Sequence, residues 1–494
     1  MVNNASAYAD TPIAGYQRIG IVLGPAVFAL MMFFSEHQTL MPALAWKVAS
    51  VGLWMAIWWA TEALPVAATA FVPLVTFDLI GIAPIKEVAI SYAHPIIYLF
   101  LGAFILALAV EKWSLHRRIA LSLLSHTGTD GRRLIFGFMV VAALLSMWMT
   151  NTSTTMMLMP IAASVAALVA EQCVGVDERG RREFQSALML GLAYSTTIGG
   201  LSTLVGTPPN ILLAGFLEEN YGTSISFTDW MMIGVPLAIV LLPLGWWVIT
   251  ALAFRVNIPA SETTHQLILD MRAELGPIKP AERRVAFIFA FVILGWMTRG
   301  MLIEAFGLTG LSDSGIAMSA ALFLFVMPSG QGSNGPLLVW ADVARLPWGV
   351  LILFGGGLSL AAQVSASGLA QWLGESLMPV AAFGTFALVL STTALVVFLT
   401  ELTSNLATAS TFLPVIAAIA AYSGIDPLVL CVPVTLAASC AFMLPVATPP
   451  NAIVYASGML RIPDMVRAGF IMNIIAMLLL TCAAVWLTPV VLGG

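Results

Sequence analysis

Charge is scarce in this chain, and the scarcity excludes an ordinary soluble globular protein. Charged residues make up only 9% of the 494 positions, whereas hydrophobic residues make up 60%. Soluble domains carry about 25% charged residues. Uncharged apolar runs such as residues 231–254 and 468–487 reach the roughly 20 residues that cross a bilayer as a helix. The composition therefore predicts an all-α polytopic membrane protein.

Residues that carry catalytic or metal chemistry are equally sparse. The four cysteines contain no C-x-x-C pair, and the five histidines form no metal-binding spacing. No P-loop is present, so ATP-driven transport by this chain alone is not indicated. No cleavable signal is evident, because residues 1–17 are polar and no small-residue cleavage site follows the first apolar run. We therefore expect neither an enzyme nor a nucleic-acid partner.

Ionisable residues inside apolar segments are functional candidates by default, and only three acids lie there: Glu62, Asp78 and Glu401. Glu62 and Asp78 fall near predicted span ends. Glu401 stands four residues before Asn405 and could either brace a hairpin tip or tune an ion site. Because a proton carrier needs a titratable group in its path, this scarcity favours Na⁺ coupling over H⁺ coupling.

Two short motifs each occur twice and interrupt apolar stretches. Met149-Thr150-Asn151-Thr152 with Pro160 is echoed by Thr403-Ser404-Asn405-Leu406 with Pro414, and the two asparagines are 254 residues apart, as are the two prolines. The second pair is Thr207-Pro208-Pro209-Asn210 and Thr448-Pro449-Pro450-Asn451. A glycine-containing segment, residues 100–103, is likewise echoed by residues 354–357. Broken helices in corresponding positions of two halves indicate the binding site of a transporter.

Lys and Arg are retained in cytoplasmic loops, so their distribution predicts the topology. Basic clusters fall at residues 112–118, 132–133, 179–182, 255–284 and 461–467. Between them lie loops with acids and without Lys or Arg, at residues 217–229, at residues 304–313 and around Glu375 and Asp426. The alternation predicts a cytoplasmic N-terminus, marked by Arg18, and a C-terminus outside.

Two segments break this alternation, and both carry the asparagine motifs. Residues 134–170 have basic loops at both ends, so we expect them to enter from the cytoplasm, turn at 150–154 and return. Residues 380–421 have acidic flanks, so we expect them to enter from outside and turn at 403–407. The halves are then inverted repeats, with about eleven transmembrane helices plus two re-entrant helical hairpins.

This organisation divides the chain into five predicted parts. Residues 1–94 form the N-terminal helices, and residues 95–254 carry the first hairpin and the first broken helix, with a further helix at their end. Residues 255–284 form a cytoplasmic linker. Residues 285–347 form the first helices of the second repeat, and residues 348–494 carry its hairpin, its broken helix and the C-terminal helix.

The hairpin tips and helix breaks suit both an anion and a cation. Backbone amides at the starts of half-helices direct partial positive charge into a cavity, which suits an anion. Carbonyls freed by the Pro-Pro breaks suit a hard cation such as Na⁺. Asn and Thr in apolar spans also link helices to one another, but a doubled pattern at matched spacing favours a binding site.

At this point the sequence resembles the divalent anion:sodium symporter (DASS) family. The resemblance covers residues from about 50 to 490 and rests on residues 58–65, on residues 100–121 with Glu111-Lys112-Trp113, on the tip at 146–152 and on residues 444–451. It implies a homodimer in which a scaffold domain supports a mobile transport domain. The scaffold would comprise residues 1–94, residues 285–347 and the helix at the end of 95–254, and the transport domain would comprise the hairpins and broken helices of 95–254 and 348–494. The movement implied is of the elevator type, carrying substrate and Na⁺ together.

The resemblance also implies which residues bind the ions and the substrate. The sodium ligands, for at least two ions, would be Ser146, Thr150, Asn151 and the Gly206 carbonyl at the first site, and Thr400, Thr403, Asn405 and the Ala447 carbonyl at the second. The substrate carboxylates would meet Asn151, Thr152, Thr207, Asn405, Thr448 and Pro449. Thr150 replaces the usual serine, and Leu406 replaces the usual threonine, which removes one possible hydrogen bond to substrate.

The expected function is sodium-coupled uptake of a dicarboxylate such as succinate, malate or fumarate across a bacterial inner membrane. A dicarboxylate exchanger of the same fold stays open as an alternative, as does transport of citrate or sulfate. An intramembrane enzyme lacks any catalytic pairing, and inverted hairpins argue against a simple channel.

Overall fold

A computed structural model describes residues 15–172, 177–330, 335–373, 375 and 384–492. Within these ranges the chain forms helices joined by turns and loops, and the single extended pairing is an isolated bridge between Pro328 and Pro336. The predicted all-α class is confirmed. Residues 380–383, which begin the second predicted hairpin, lie outside the described ranges.

The helices follow the apolar runs of the sequence. Those of the first half are Gly15–Phe33, Ala43–Ala60, Val66–Thr69, Val72–Leu79, Ile85–Ile90, Pro95–Lys112, Leu115–Leu124, Gly131–Ser146, Asn151–Gln172, Glu178–Gly200, Pro208–Tyr221 and Phe227–Trp247, the last continuing as a π-helix over Val248–Ala253. Those of the second half are Glu262–Ala273, Pro280–Phe306, Asp313–Val326, Trp340–Val343, Trp348–Ala366, Thr385–Leu399, Asn405–Tyr422, Pro427–Ser439, Pro449–Ala456 and Ile462–Cys482, followed by the π-helix Ala483–Leu487 and by Thr488–Leu492.

Nine helical segments of the described ranges are long and apolar enough to cross a membrane. Four further apolar helices are shorter, and they include Thr385–Leu399 and Pro427–Ser439. Pro280–Phe306 exposes large apolar side chains such as Phe287 and Phe291, as a helix facing lipid does. The chain is an integral membrane protein, and the count of eleven spans stays a prediction.

Two helical hairpins carry the asparagine motifs. Hairpin 1 consists of Gly131–Ser146 and Asn151–Gln172, and hairpin 2 consists of Thr385–Leu399 and Asn405–Tyr422. The predicted turns at 150–154 and 403–407 were placed too late, since the second arms already begin at Asn151 and Asn405. In hairpin 1 the reason is a helix cap, because Thr150 Oγ1 accepts a hydrogen bond from the Ser153 amide at 3.2 Å.

The Thr-Pro-Pro-Asn motifs interrupt two further helices. Broken helix 1 consists of Glu178–Gly200 and Pro208–Tyr221, and broken helix 2 consists of Pro427–Ser439 and Pro449–Ala456. In both, the first proline of the motif occupies the first helical position, where its missing amide costs no hydrogen bond.

Each hairpin packs against the broken helix of the other half as well as its own. The arm Asn151–Gln172 of hairpin 1 contacts Pro449–Ala456, and the arm Asn405–Tyr422 of hairpin 2 contacts Pro208–Tyr221. Within the first half, Gly131–Ser146 packs along Glu178–Gly200. These contacts connect the four motif-bearing elements, although they lie far apart in sequence.

Candidate functional site

The two hairpin tips share one hydrogen-bonding arrangement. Ser146 Oγ donates to Asn151 Oδ1 at 2.6 Å in hairpin 1. Thr400 Oγ1 donates to Asn405 Oδ1 at 2.9 Å in hairpin 2. In each case a fully buried hydroxyl closes the tip by reaching the asparagine that starts the second arm. The doubled motif of the sequence therefore folds into a doubled geometry.

The loops inside the broken helices are held by the asparagines of the Thr-Pro-Pro-Asn motifs. Asn210 Nδ2 donates to the carbonyl oxygens of Gly200 at 3.1 Å and Thr203 at 2.8 Å. Asn451 Nδ2 donates to the corresponding carbonyls, Ala441 at 3.3 Å and Leu444 at 3.0 Å. Both amides thus use their donors on the loop that bears the predicted sodium-binding carbonyl.

Hairpin 1 and the loop of broken helix 1 approach one another closely at glycines. A methyl carbon placed on Gly200 would lie 2.6 Å from Asn151 Oδ1 and 3.2 Å from the Gly206 carbonyl oxygen. One placed on Gly206 would lie 2.5 Å from the Gly200 carbonyl oxygen. Asn151 Oδ1 and the Gly206 carbonyl oxygen therefore lie close to one common point, and both belong to the first predicted sodium site.

At the tip of hairpin 2, hydrogen-bond acceptor oxygens outnumber the donor hydrogens between them. The Thr400 hydroxyl lies within hydrogen-bonding distance of Asn405 Oδ1 and of the Ala438 carbonyl oxygen at 2.7 Å. A hydroxyl has a single hydrogen, so it donates to one of these oxygens at a time. Three neutral oxygens around one proton form a donor set that suits a hard cation, and they fit Na⁺.

Four helix N-termini begin at the motifs, with Asn151, Asn405, Pro208 and Pro449 as their first residues. Thr448 caps its half-helix through Oγ1, which accepts from the Asn451 amide at 3.3 Å. Thr207 is buried at the matching position in broken helix 1, whereas Thr152 is half-buried and Pro449 is exposed. Backbone amides at the N-termini that begin at Asn151 and Asn405 suit a carboxylate. The other two N-termini begin with Pro-Pro, which has no amide hydrogen, so they contribute the helix dipole and not free amides.

Two predicted sodium ligands turn their hydroxyls toward their own hairpin arms. Thr150 Oγ1 donates to Ser153 Oγ at 3.0 Å. Thr403 Oγ1 donates to the Leu399 carbonyl oxygen at 3.0 Å and lies 2.6 Å from Thr408 Oγ1. Ala447, whose carbonyl is the remaining predicted ligand, donates its own amide to Leu444 at 3.2 Å.

Glu401 braces hairpin 2 against broken helix 2. Its Oε1 accepts from the amides of Phe442 at 2.8 Å and Met443 at 2.9 Å, and its Oε2 accepts from the amides of Met443 at 3.1 Å and Leu444 at 3.0 Å. Asn473 Nδ2 adds a fifth hydrogen bond at 2.8 Å. The bracing interpretation of Glu401 therefore accounts for both carboxylate oxygens.

Sequence reasoning missed several residues of this region. Gly200 and Asn473 stand out in no motif, and only the folded chain places them beside Asn151 and Glu401. Thr155 was missed as well: its Oγ1 donates to the Asn151 carbonyl oxygen at 2.8 Å and lies 3.2 Å from Thr196 Oγ1, which links hairpin 1 to broken helix 1. Aligning the two halves on Thr-Pro-Pro-Asn would have drawn attention to Gly200.

A family model described as the sodium:sulfate symporter transmembrane region matches residues 18–492. The chain belongs to this family. The resemblance to divalent anion:sodium symporters is thereby confirmed over nearly the whole length. Members of the family are membrane transporters, so the protein is a transporter and not an enzyme.

Close relatives in the family carry a functional name. The chain is 40% identical over 480 residues to the sodium-dependent dicarboxylate transporter SdcS of Staphylococcus saprophyticus, covering 97% of this chain and 92% of the relative. It is also 40% identical over 488 residues to SdcS of Staphylococcus aureus, covering 98% and 93%.

A solved structure supports the fold at a greater distance. The crystal structure of the YdaH transporter of Alcanivorax borkumensis superimposes with a TM-score of 0.53 at 14% sequence identity, covering 95% of this chain and 98% of that one. At this identity the likeness concerns the architecture alone.

Proposed function

We propose that this chain is a sodium-coupled symporter that takes up dicarboxylates such as succinate, malate or fumarate. The main support is a pair of matched oxygen clusters, Ser146 with Asn151 and Thr400 with Asn405. Four helices of the hairpins and broken helices also begin at the motifs. Oxygen clusters suit Na⁺, and the N-termini suit two carboxylates. The names of the 40% identical relatives agree with this assignment.

The proposed roles divide the motif residues between at least two ions and the substrate. The sodium ligands are Ser146, Thr150, Asn151 and Gly206 at the first site, and Thr400, Thr403, Asn405 and Ala447 at the second. The substrate ligands are Asn151, Thr152, Thr207, Asn405, Thr448 and Pro449. Asn151 and Asn405 would each contact both an ion and the substrate, and this sharing would make substrate binding depend on bound Na⁺.

The proposed movement is an elevator. The hairpins would be re-entrant and would travel with the broken helices as a transport domain, while the other helices of each repeat would form the scaffold and a homodimer contact. The protein would lie in a bacterial inner membrane with its N-terminus in the cytoplasm and its C-terminus outside. The cross-packing of each hairpin on the opposite broken helix supports a transport domain built from both halves.

Transport into proteoliposomes tests this function. An inward Na⁺ gradient should drive uptake of labelled succinate into vesicles that contain no dicarboxylate. A strict requirement for internal dicarboxylate would instead support the exchanger. Competition by unlabelled malate, fumarate, citrate and sulfate ranks the substrates, and sulfate enters the panel because the family description names it.

A double variant tests the site. Asn151→Ala with Asn405→Ala should abolish sodium-driven uptake, because it removes the side-chain oxygen common to each cluster. Asn220→Ala is the control, since Asn220 lies at the far end of Pro208–Tyr221, where it donates to the Phe216 carbonyl and accepts from Ser365 Oγ, away from both hairpin tips. Full transport by the double variant would refute the assignment.

A further inference from the structure

One difference between the two proposed sodium sites lies at a buried backbone position beside their ligands. Gly200 and Ala441 occupy the same place in the two halves, each seven residues before the threonine of Thr-Pro-Pro-Asn. Their carbonyls receive the same hydrogen bond, from Asn210 and Asn451 respectively. Ala441 is fully buried and carries the methyl group that Gly200 lacks.

The missing methyl leaves space between two proposed ligands. The point where a Gly200 methyl would stand is 2.6 Å from Asn151 Oδ1 and 3.2 Å from the Gly206 carbonyl oxygen. This point lies one C–C bond from the Gly200 Cα, so it is not the position of the ion; it marks how closely both proposed ligands approach the Gly200 backbone. A carbon atom at 2.6 Å from Asn151 Oδ1 would displace the asparagine amide.

We infer that Gly200 determines the size of the first sodium site, because a methyl group at this position would displace two of its proposed ligands. This inference rests on the proposed function, because it concerns the same ions. Gly200 touches neither substrate nor ion through a side chain, since it has none. Its contribution is to keep Asn151 Oδ1 and the Gly206 carbonyl oxygen free to converge on the ion.

Sodium-dependent thermal stabilisation of the purified protein, without substrate, tests the inference apart from transport. Gly200→Ala should raise the Na⁺ concentration for half-maximal stabilisation by about tenfold or more, with choline as the reference cation. Ala441→Gly should leave that concentration near the wild-type value.

Gly191→Ala is the matched control in the same helix. A methyl group there would meet side-chain atoms of Ile135 and Met139 at 3.2 Å, which can move, and lies outside both sodium clusters. It should bind Na⁺ like the wild type. An equal loss in Gly191→Ala and Gly200→Ala would overturn the inference, because the effect would then belong to the helix as a whole.

Melting in choline keeps the test decisive if Gly200→Ala is less stable than the wild type, because it measures the stability of the fold without Na⁺. A loss confined to the Na⁺-induced shift supports the inference, whereas a lower melting temperature in choline with an unchanged Na⁺ dependence would overturn it. A wild-type protein that Na⁺ does not stabilise would contradict the proposed function itself. A stabilised wild type with an equally stabilised Gly200→Ala would contradict the inference alone.

Discussion

Glu401 Oε1 accepts a hydrogen bond from Asn473 Nδ2 at 2.8 Å, and this contact joins the tip of hairpin 2 to the helix Ile462–Cys482. The same carboxylate receives three consecutive backbone amides of broken helix 2, from Phe442 to Leu444. The matching position in hairpin 1 is Met147. In broken helix 1 the matching amides of Leu201 and Ser202 bond backbone carbonyls instead. The Glu401 carboxylate thus accepts hydrogen bonds from amides whose counterparts in the first half are bonded to backbone carbonyls.

Glu401→Gln should therefore weaken the protein and its second ion site together. The glutamine amide brings N–H groups toward amides that are themselves donors, and bonds to a charged group are worth about 1.5–3 kcal/mol each. We expect a lower melting temperature, a large loss of sodium-driven uptake and a raised Na⁺ requirement. Melting curves and uptake at a series of Na⁺ concentrations measure all three.

Glu178→Gln is the control for the change of charge, because Glu178 pairs with Arg182 on an exposed surface. It should leave melting and uptake unchanged. Asn473→Leu removes one donor and spares the backbone bonds, so its effect should be smaller than that of Glu401→Gln. If Glu401→Gln melts like the wild type and alters only the Na⁺ dependence, Glu401 is an ion ligand rather than a brace.

The asparagines of the two Thr-Pro-Pro-Asn motifs should each support the sodium site of their own half. Asn210→Ala frees the carbonyls of Gly200 and Thr203, and Asn451→Ala frees those of Ala441 and Leu444. Each loop then loses hydrogen bonds that hold the backbone around its proposed sodium-binding carbonyl, which is that of Gly206 in the first half and that of Ala447 in the second. We expect the Na⁺ requirement to rise by about tenfold in each variant, measured by Na⁺-dependent stabilisation. A wild-type Na⁺ requirement in both variants would show that the loops keep their conformation without these asparagine side chains.

The motifs predicted where the helices break because these breaks depend on local chemistry. Proline removes a backbone amide wherever it stands, so the breaks at Pro208 and Pro449 followed from the sequence. The turn of hairpin 1 was placed too late because Thr150 caps the helix that begins at Asn151, and such a hydrogen bond is visible only in the folded chain. Gly200 and Asn473 escaped notice because their importance depends on residues 49 and 72 positions away, which only tertiary packing brings near.

The predicted topology can be checked on two loops that the charge pattern assigns to opposite sides. Ser224, in the acidic loop 217–229, and Thr263, in the basic linker 255–284, are both exposed. A membrane-impermeant maleimide should label Ser224→Cys in intact cells and Thr263→Cys only after permeabilisation. The native Cys431 and Cys440 are buried but Cys482 is half-buried, so labelling of the protein without an added cysteine measures the background to be subtracted. The reverse labelling pattern would show that the protein has the opposite orientation in the membrane to the one predicted.

The ion pair of Arg118 and Glu282 should contribute to stability rather than to ion binding. Arg118 donates to both carboxylate oxygens and also to the Gly276 carbonyl oxygen at 3.0 Å, which joins the helix Leu115–Leu124 to the end of the predicted linker. Glu282 is 3% exposed and Arg118 21%. Glu282→Gln should lower the free energy of unfolding by about 2 kcal/mol. This is less than the loss on breaking a fully buried ion pair, because Arg118 is partly exposed.

Melting in the presence and absence of Na⁺ separates the two roles of Glu282. The variant should melt at a lower temperature in both conditions and keep the wild-type sodium-induced shift. A selective loss of that shift would mean that the linker contact controls the ion sites.

Leu406 should influence which acid is preferred. It follows Asn405 at the tip of hairpin 2, it is 6% exposed, and the matching residue of hairpin 1 is Thr152. Leu406→Thr places a hydroxyl where the second substrate carboxylate is proposed to bind. A site that can hydrogen-bond a substrate hydroxyl discriminates strongly in its favour. We therefore expect the ratio of malate to succinate uptake to rise in this variant.

Leu406→Val separates the hydroxyl from the loss of volume, since valine and threonine have nearly the same shape. Both variants should lose some stability because each leaves part of the leucine space empty. Only the threonine should change the ratio of malate to succinate, measured as competing half-maximal concentrations at fixed Na⁺. If valine and threonine shift the ratio equally, the size of the pocket governs the preference. If neither shifts it, the substrate does not reach this side of the hairpin 2 tip.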